Sequence, residues 1–305
     1  MCGITALLTV KNGIDCRLLK FMSDMQRHRG PDDEGYVLLN PRTKRFIELR
    51  GPDTCPELSE LPSIENFALT NDYTIGLAHR RLSIIDLTVN AHQPMANEDS
   101  TIWVVFNGEV YNYRELRDKL SKGRHRFRSK SDVEVIIHGY EEWGLVKLLS
   151  KMVGMWAFVL VDMDKKKAYL VRDRFGIKPL YYTLTENMLA CTSEIKPLLK
   201  LTGFNPNEKL MYQYLTFQRP EVREETFFTG ILQVLPAHYI EVDLETLKIV
   251  KVRYWNLQFS DEIEAKENGQ FIKAWRDAFI DSIKLHLRTD VPLGFLLSGG
   301  IDSSS

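Results

Sequence analysis

The stretch MCGITALLTV (residues 1–10) opens the chain and places a cysteine directly behind the first methionine and ahead of an apolar run. Because cysteine is small, we expect Met1 to be removed, so that Cys2 carries both a thiol and a free α-amino group. An unperturbed α-amine has a pKa near ~8, and part of it can accept a proton near pH 7. A nucleophile activated by its own terminal amine is one form of covalent catalysis. The alternative is an ordinary small buried residue, and in either case residues 3–10 predict a buried strand.

Composition excludes several classes of protein. Of the 305 residues, 44% are hydrophobic and 27% are charged, which is typical of a soluble globular protein with about two domains. A net charge of −1 offers no basic surface for nucleic acid. The longest apolar stretch, residues 154–163, is too short to cross a bilayer, and the sequence has no signal-peptide pattern. We expect a cytoplasmic protein and assign no metal site, because the cysteines are scattered without ligand spacing: Cys2, Cys16, Cys55 and Cys191.

Local patterns predict strands alternating with a few helices. A helix is expected at residues 17–26 and another at 114–121. Residues 40–73 contain four prolines and many polar residues, and we interpret them as an irregular surface insertion that either covers a binding pocket or is simply tolerated. Further strands are expected at 155–162, 167–172, 180–184, 188–192, 238–242 and 248–254.

Two short patterns predict specific local structure. Asn107-Gly108 stands between alternating apolar residues, which predicts a two-residue hairpin joining two strands within residues 101–113. Ser131, with Glu134 three residues later, is a capping-box pattern ahead of a helix.

The character of the chain changes after Ser260. Apolar residues recur every fourth position on one predicted helix: Phe271, Trp275, Phe279, Ile283 and Leu287. The stretch VPLGFLLSGGIDSSS (residues 291–305) then predicts a buried strand running into a glycine pair. A parallel strand needs a partner and a crossover helix. We therefore expect a second domain that is only begun in this sequence, as in a truncated chain.

Several residues have the chemistry of a site, each with a structural alternative. Asn107 and Gly108 could donate to one developing oxyanion instead of forming a turn. Asp132 could bind a cation instead of only complementing a helix dipole. Arg81 could grip a small carboxylate instead of being solvated. The turn in LLSGGIDSS (residues 296–304) suits phosphate oxygens, although it lacks the Walker pattern and its glycines could serve a tight turn alone.

The motifs occur in an order that resembles a known family. They are Cys2-Gly3-Ile4, RHRGPDDEG, LAHRRLSIID, NGEVYNY, SDVEVI, RDRFGIKPLYY (residues 172–182) and SEIKPLL (193–199). This order resembles the class II glutamine amidotransferase domain, and with LLSGGIDSS it resembles the glutamine-dependent asparagine synthetases.

The resemblance implies a fold and a division of the chain. The fold class is α+β: a four-layer αββα sandwich of the N-terminal nucleophile hydrolase type, followed by the start of a doubly wound α/β ATP-pyrophosphatase domain. The expected domains are a glutaminase domain at 2–205, a connecting segment packed on it at 206–259, and the beginning of a synthetase domain at 260–305.

The resemblance also implies residue roles. Cys2 would attack the side-chain amide of glutamine, and Asn107 and Gly108 would form the oxyanion hole. Arg81 would hold the α-carboxylate, and Glu109 and Asp132 would receive the α-ammonium. The backbone after Arg81 would complete the glutamine site, at Leu82, Ser83, Ile84 and Ile85. The ATP pyrophosphate would bind at Leu296, Ser298, Gly299, Gly300, Asp302 and Ser303.

The implied reaction consumes aspartate, ATP and glutamine and yields asparagine, AMP, pyrophosphate and glutamate, with Mg²⁺ neutralising the phosphates. The substrates are small molecules, no nucleic acid or membrane is involved, and a homodimer is left open. One alternative is a related ligase acting on another carboxylate, as in sugar or peptide biosynthesis. Another is a non-catalytic glutamine-binding module, which the intact Cys2 and NGE motif disfavour. As a truncated chain, the protein is expected to hydrolyse glutamine without making asparagine.

Overall fold

The computed structural model describes residues 1–123, 125–218, 223–258 and 268–304. Its strands are β1 (Gly3–Thr9), β2 (Ile14–Asp15), β3 (Asp33–Asn40), β4 (Arg45–Leu49), β5 (Leu69–Thr70), β6 (Ile75–Arg81), β7 (Met95–Ala96), β8 (Ile102–Val110), β9 (Gly154–Asp162), β10 (Lys167–Arg172), β11 (Tyr181–Leu184), β12 (Met188–Thr192), β13 (Leu232–Gln233), β14 (His238–Asp243) and β15 (Ile249–Arg253). Its helices are α1 (Cys16–Asp24), α2 (Tyr113–Leu120), α3 (Glu134–Trp143), α4 (Leu145–Lys151), α5 (Ile195–Thr202), α6 (Glu208–Phe217), α7 (Asn268–His286) and α8 (Ile301–Ser304). Single 3₁₀ turns lie at Arg27–Arg29, Pro56–Leu58, Ile64–Asn66 and Val89–Ala91.

Two antiparallel sheets form the middle of the molecule. Sheet I has the strand order β13-β11-β12-β1-β6-β3-β4, and sheet II has the order β15-β14-β10-β9-β8-β7. Side chains alternate along each strand, so each sheet presents one face to the other. In β1, Ile4, Ala6 and Leu8 join Val105 and Val159 of sheet II in a shared apolar core. Strand β1 lies between β12 and β6 and is buried along its whole length, as its apolar sequence predicts.

Helices cover the outer faces of both sheets. On sheet I, Leu7 points away from the shared core and packs with Leu19 of α1 and Leu198 of α5. On sheet II, Val104 and Phe106 of β8 pack in a second cluster with residues of α2, α3 and α4. The layers therefore run helix, sheet, sheet, helix, and the predicted αββα sandwich is confirmed.

The hairpin predicted at Asn107-Gly108 is wrong, because both residues lie inside the continuous strand β8. Asn107 is opposite Ala157 and Gly108 is opposite Trp156 on β9. A Cβ atom on Gly108 would lie 2.2 Å from the carbonyl oxygen of Met155, so glycine permits the close approach of the two strands. The turn preference of Asn-Gly is local, and pairing along the whole of β9 with burial on both faces overrides it.

We expect Gly108→Ala to lower the free energy of unfolding by about 1–3 kcal/mol, the usual cost of inserting atoms into a packed region. The added methyl group would meet backbone, which cannot move aside without separating β8 from β9. Thermal denaturation measures the effect. Gly269→Ala is the matched control, because a Cβ atom there has no neighbour within 4 Å among the described residues. Equal melting temperatures for the two variants would contradict this account.

Two other local predictions need correction. Residues 40–73 are not wholly irregular, because Arg45–Leu49 pairs with β3 as the edge strand of sheet I. The capping box also does not form: the Ser131 hydroxyl accepts from the Val133 N–H, but Glu134 turns to the N–H groups of Arg128 and Ser129. Both N–H groups lie within hydrogen-bond distance of the Glu134 carboxylate, and the Ser131 N–H donates to Ser129 Oγ instead.

The C-terminal part contains α7, with the apolar row that the sequence predicts. All five residues of this row are exposed by 40–61%. The strand predicted at residues 291–297 is not formed; no described strand lies beside this stretch, and Leu296 is fully exposed. Just after α7, Arg288 makes a two-pronged ion pair with Glu115, and the Asp86 N–H donates to Asp290 at 2.8 Å. This short segment is thereby fixed to the sandwich.

Among the described residues, no helix has both the length and the apolar composition needed to cross a bilayer.

Candidate active site

A cavity of about 150 Å³ lies beside the start of β1, the end of β6 and the C-terminal half of β8. Cys2 precedes β1, Arg81 ends β6, Asn107 lies in β8, and Asp132 precedes α3. The sequence-predicted residues that line the cavity are Cys2, Arg81, Leu82, Ile84, Ile85, Asn107, Gly108, Glu109 and Asp132. Ser83 lies outside it, in a neighbouring cavity, where its N–H donates to Asp32. A larger cavity of about 770 Å³ beside α6 contains none of the predicted site residues.

The position of Cys2 is fixed through the main chain. Its carbonyl oxygen accepts from Arg29 Nε at 2.9 Å. The next residue but one, Ile4, donates its N–H to Ser193 Oγ and accepts from Gln26 Nε2, both at 3.0 Å. Burial raises the pKa of the Cys2 thiol, and the N–H of Leu82, 3.4 Å from Sγ, does not cancel that effect. The thiol is therefore protonated at neutral pH and needs a base before it can attack.

Asn107 places a free hydrogen-bond donor in the cavity wall. Its side chain is 1% exposed, and Nδ2 has no hydrogen-bond partner among the described residues. A buried donor without a partner costs about 1–3 kcal/mol and is rare in native proteins. Such a group is expected where a ligand or a reacting oxygen completes the bond.

Two carboxylates form the acidic side of the cavity. Burial raises the pKa of Asp132 to about 7; the Val110 N–H, 2.8 Å from Oδ2, opposes the shift, and nearby Glu109 adds to it. Burial also raises the pKa of Glu109. Paired carboxylates held in a desolvated wall favour a bound cation.

Arg81 forms the basic side. Its guanidinium is buried and donates to the carbonyl oxygens of Thr88, Asp86 and Ile85 in the loop that follows β6. A guanidinium has five N–H donors, so two remain after these three acceptors. The same loop is the one that Asp290 contacts through the N–H of Asp86.

Lys178 is a residue of the cavity wall that the sequence analysis missed. It is 7% exposed, burial lowers the pKa of its ammonium group, and no described carboxylate lies within ion-pair distance of Nζ. Asp173 shapes its loop by accepting the N–H groups of Phe175, Ile177 and Lys178 at 2.9–3.0 Å. Lys178 lies in the motif RDRFGIKPLYY, which indicates the family resemblance but does not by itself assign a role to the lysine.

The residues predicted to bind ATP lie far along the chain: Leu296, Ser298, Gly299 and Gly300 precede α8, and Asp302 and Ser303 lie within it. Ser298 Oγ is 2.9 Å from Ser303 Oγ and accepts from the Gly300 N–H at 3.4 Å. Gly299 has a φ of +78°, in the left-handed region that favours glycine. Leu296 is exposed, and the side chain of Asp302 lies outside the described residues.

The comparison with protein families agrees with this geometry. The family described as a glutamine amidotransferase domain matches residues 41–255, a range that includes Arg81, Asn107 and Asp132. The chain belongs to this family. Cys2 precedes the matched range of the amidotransferase domain, and a second family, described as asparagine synthase, matches residues 274–305.

Relatives of this amidotransferase carry two kinds of name. Asparagine synthetase [glutamine-hydrolyzing] 2 of Bacillus subtilis is 36% identical over 100% of this chain and 38% of its own length. Amidase chyE of Penicillium rubens is 37% identical over 76% of this chain and 34% of its own length. The chain thus spans under two fifths of each relative.

A solved structure shares the fold. Glutamine phosphoribosylpyrophosphate amidotransferase of B. subtilis aligns with 85% of this chain and 50% of its own, with a TM-score of 0.59 and 16% identity. This likeness supports the N-terminal nucleophile hydrolase fold expected for the amidotransferase and carries no statement about its substrate.

Proposed function

We propose that this amidotransferase hydrolyses the side-chain amide of glutamine at Cys2 and delivers the ammonia to ATP-activated aspartate, as a glutamine-hydrolysing asparagine synthetase. The observation that carries the proposal is Asn107 Nδ2, which has no partner among the residues that the structure describes and lines the same small cavity as the Cys2 thiol. A binding module needs neither a nucleophile nor a spare donor beside it.

The charges of the cavity match the substrate. Arg81 would bind the α-carboxylate of glutamine through an N–H donor that the carbonyl groups of Thr88, Asp86 and Ile85 do not use. Glu109 and Asp132 would receive the α-ammonium group, and the backbone of residues 82–85 would border the carboxylate. Charges of opposite sign in the same cavity would orient the amino acid so that its side-chain amide reaches Cys2.

The chemical step follows from these positions. Once Met1 is removed, the free amine of Cys2 takes the thiol proton and sulfur bonds to the amide carbon. The carbonyl oxygen becomes an oxyanion that accepts from Asn107 Nδ2 and the Gly108 N–H. The C–N bond breaks, the nitrogen takes the proton and leaves as ammonia, and water then cleaves the thioester to glutamate and regenerated thiol.

The second half of the proposal concerns ATP. The hydroxyls of Ser298 and Ser303, the N–H of Gly300 and the left-handed Gly299 form a donor set of the kind that suits a phosphate. Mg²⁺ would bind together with the nucleotide and neutralise its charge. Asp302 would supply the carboxylate of this ATP site. We also propose that the domains divide at residues 205 and 259, that the protein is cytoplasmic and that it forms a homodimer.

The alternative is a related ligase in which the activated carboxylate is not aspartate. Measuring AMP and pyrophosphate release by the protein with a complete synthetase domain, with ATP, Mg²⁺ and either aspartate or other carboxylic acids, separates the two. AMP release that requires aspartate supports the proposal, and release with another acid in its place supports the alternative.

The glutaminase half is tested by measuring glutamate release from glutamine between pH 5.5 and 9. Protonation of the Cys2 amine lowers kcat/KM at acid pH; because the pKa of Asp132 is about 7 and its ionised form would bind the ammonium group, Asp132 should add a further fall of about tenfold per pH unit below 7. Asp132→Asn should lower kcat/KM and remove this additional fall, whereas Asp118→Asn, on an exposed position, should change neither. Absence of glutamate release by folded, Met1-free protein would refute the proposal.

Stability gives a second readout of the same group. The folded pKa of Asp132 lies above the ordinary value of 3.8, so its ionisation opposes folding, and stability is lost as pH rises from 3.8 through 7. Asp132→Asn should therefore raise the melting temperature more at pH 8 than at pH 5.

A further inference from the structure

A second cluster of chemically active side chains lies away from the glutamine cavity and shares no residue with it. Glu98 follows β7, His125 lies in the loop ahead of α3, and His138 and Glu141 stand one turn apart on α3. One ligand atom from each of the four lies within 4.8 Å of all the others. The chain thus brings two imidazoles and two carboxylates from three segments to one point.

The separations within the cluster suit a single metal ion. His138 Nδ1 is 3.3 Å from Glu141 Oε2 and 3.7 Å from Glu98 Oε2, and His125 Nδ1 is 3.7 Å from the same Glu141 oxygen. Zinc binds nitrogen and oxygen at about 2.0–2.2 Å in tetrahedral geometry, which places neighbouring ligand atoms about 3.3–3.6 Å apart. Small side-chain adjustments bring all four atoms to that spacing.

Each imidazole has an outer carboxylate behind it. His138 Nε2 lies 3.5 Å from Glu134 Oε1, and His125 Nε2 lies 3.6 Å from Glu142 Oε2. Metal-binding histidines commonly direct the other ring nitrogen to a carboxylate, which fixes the ring and increases its basicity. The Glu134 carboxylate is itself held by the Ser129 hydroxyl at 2.6 Å.

Burial and charge show why this cluster needs a cation. His125 is 8% exposed and His138 is 1% exposed, and their rings pack with centroids 4.7 Å apart. Neither Nε2 atom makes a hydrogen bond within the described part of the chain. Four glutamates, of which Glu134 is buried and Glu98 and Glu142 are exposed, surround these two rings, so a divalent cation between them would meet an excess of negative charge.

We propose that Glu98, His125, His138 and Glu141 bind one divalent transition metal of the zinc class. Four protein ligands leave no open position, so the site is structural and fastens two loops to α3. A cavity bordered by Glu98, His125 and Glu141 gives the ion access from solvent. Asn97 Nδ2 donates to the free oxygen of Glu141 at 2.9 Å and keeps the other oxygen for the metal.

Zinc titration of chelator-treated protein, followed by calorimetry and thermal denaturation, tests the site. The Cys2→Ala protein is used throughout, so that the nucleophile cannot bind the metal. We expect one Zn²⁺ per chain, a higher melting temperature with Zn²⁺, and with Co²⁺ the intense visible absorption of a tetrahedral site. His138→Asn should abolish binding, and Glu98→Gln, an exposed position that should not disturb folding, should weaken it at least tenfold.

His92→Gln is the matched control. His92 belongs to the other candidate cluster, with Asp33 and Cys55, and its loss should leave the zinc stoichiometry and affinity unchanged. Binding that survives both His138→Asn and Glu98→Gln, or that disappears in His92→Gln, would overturn the proposal. So would the absence of saturable Zn²⁺ and Co²⁺ binding to the folded Cys2→Ala protein.

Discussion

Cys2→Ala is expected to abolish glutamine hydrolysis while leaving glutamine binding nearly unchanged. The thiol forms the covalent bond in the proposed reaction, whereas Arg81, Glu109 and Asp132 recognise the substrate. The cavity keeps those charges when the sulfur is removed, because none of them makes a hydrogen bond to it. Glutamate release and isothermal titration with glutamine measure the two properties on the same protein.

Cys191→Ala is the control for this variant, because Cys191 is a free, fully buried cysteine of the core between the sheets. It should lose stability but keep turnover per folded molecule. Intact mass belongs to the same experiment: active wild-type protein should lack Met1, since the amine of Cys2 acts as the base. Glutaminase activity in Cys2→Ala would place the nucleophile elsewhere, and full activity with Met1 present would remove the amine from the mechanism.

Asn107→Ala should lower kcat by roughly 10²–10³, the usual loss for one oxyanion donor. The KM for glutamine should change little, because the bond from Nδ2 strengthens mainly in the transition state. Thermal stability should be unchanged or higher, since the substitution removes a buried donor that has no partner among the described residues. Steady-state kinetics and a melting curve give these three quantities.

The combination of results is diagnostic for Asn107. If Asn107 were needed only for the strand, the substitution would lower the stability of the protein and leave its turnover unchanged, which is the reverse of our expectation. Asn66→Ala, on an exposed 3₁₀ turn, should leave both kinetics and stability unaltered. A fall in kcat of less than about threefold would mean that Asn107 does not contact the oxyanion.

Much of the fold and most of the residues that line the cavity beside Cys2 could be predicted, because both follow from sequence patterns that remain recognisable in the folded chain. The apolar run of β1 becomes a central strand, and the motifs containing Arg81, Asn107 and Asp132 meet at one cavity although they lie tens of residues apart. Order of motifs along the chain was enough to find these residues.

The incorrect predictions share a physical cause. Local sequence preference predicted a turn or a loop at positions where pairing with a strand distant in sequence determines the structure. Asn107-Gly108 has the composition of a turn but is held straight by β9. Arg45–Leu49 lies within a polar, proline-rich region of the sequence yet completes an edge of sheet I. Lys178 and the histidine cluster were missed for a related reason: His125 and His138 acquire their neighbours only when the loops fold onto α3. Metal-ligand residues from separate segments show no regular spacing in the sequence.

The straight path of β8 has a consequence for the chemical lifetime of the protein. In a flexible chain, the nitrogen after an asparagine attacks the side-chain carbonyl, ammonia leaves, and the resulting succinimide opens to aspartate or isoaspartate; glycine in the next position makes this fastest. Strand pairing holds Gly108 against the Met155 carbonyl and prevents that ring from closing. We therefore expect Asn107 to deamidate while the chain is unfolded. A chain that later refolded would keep the altered residue in the cavity beside Cys2.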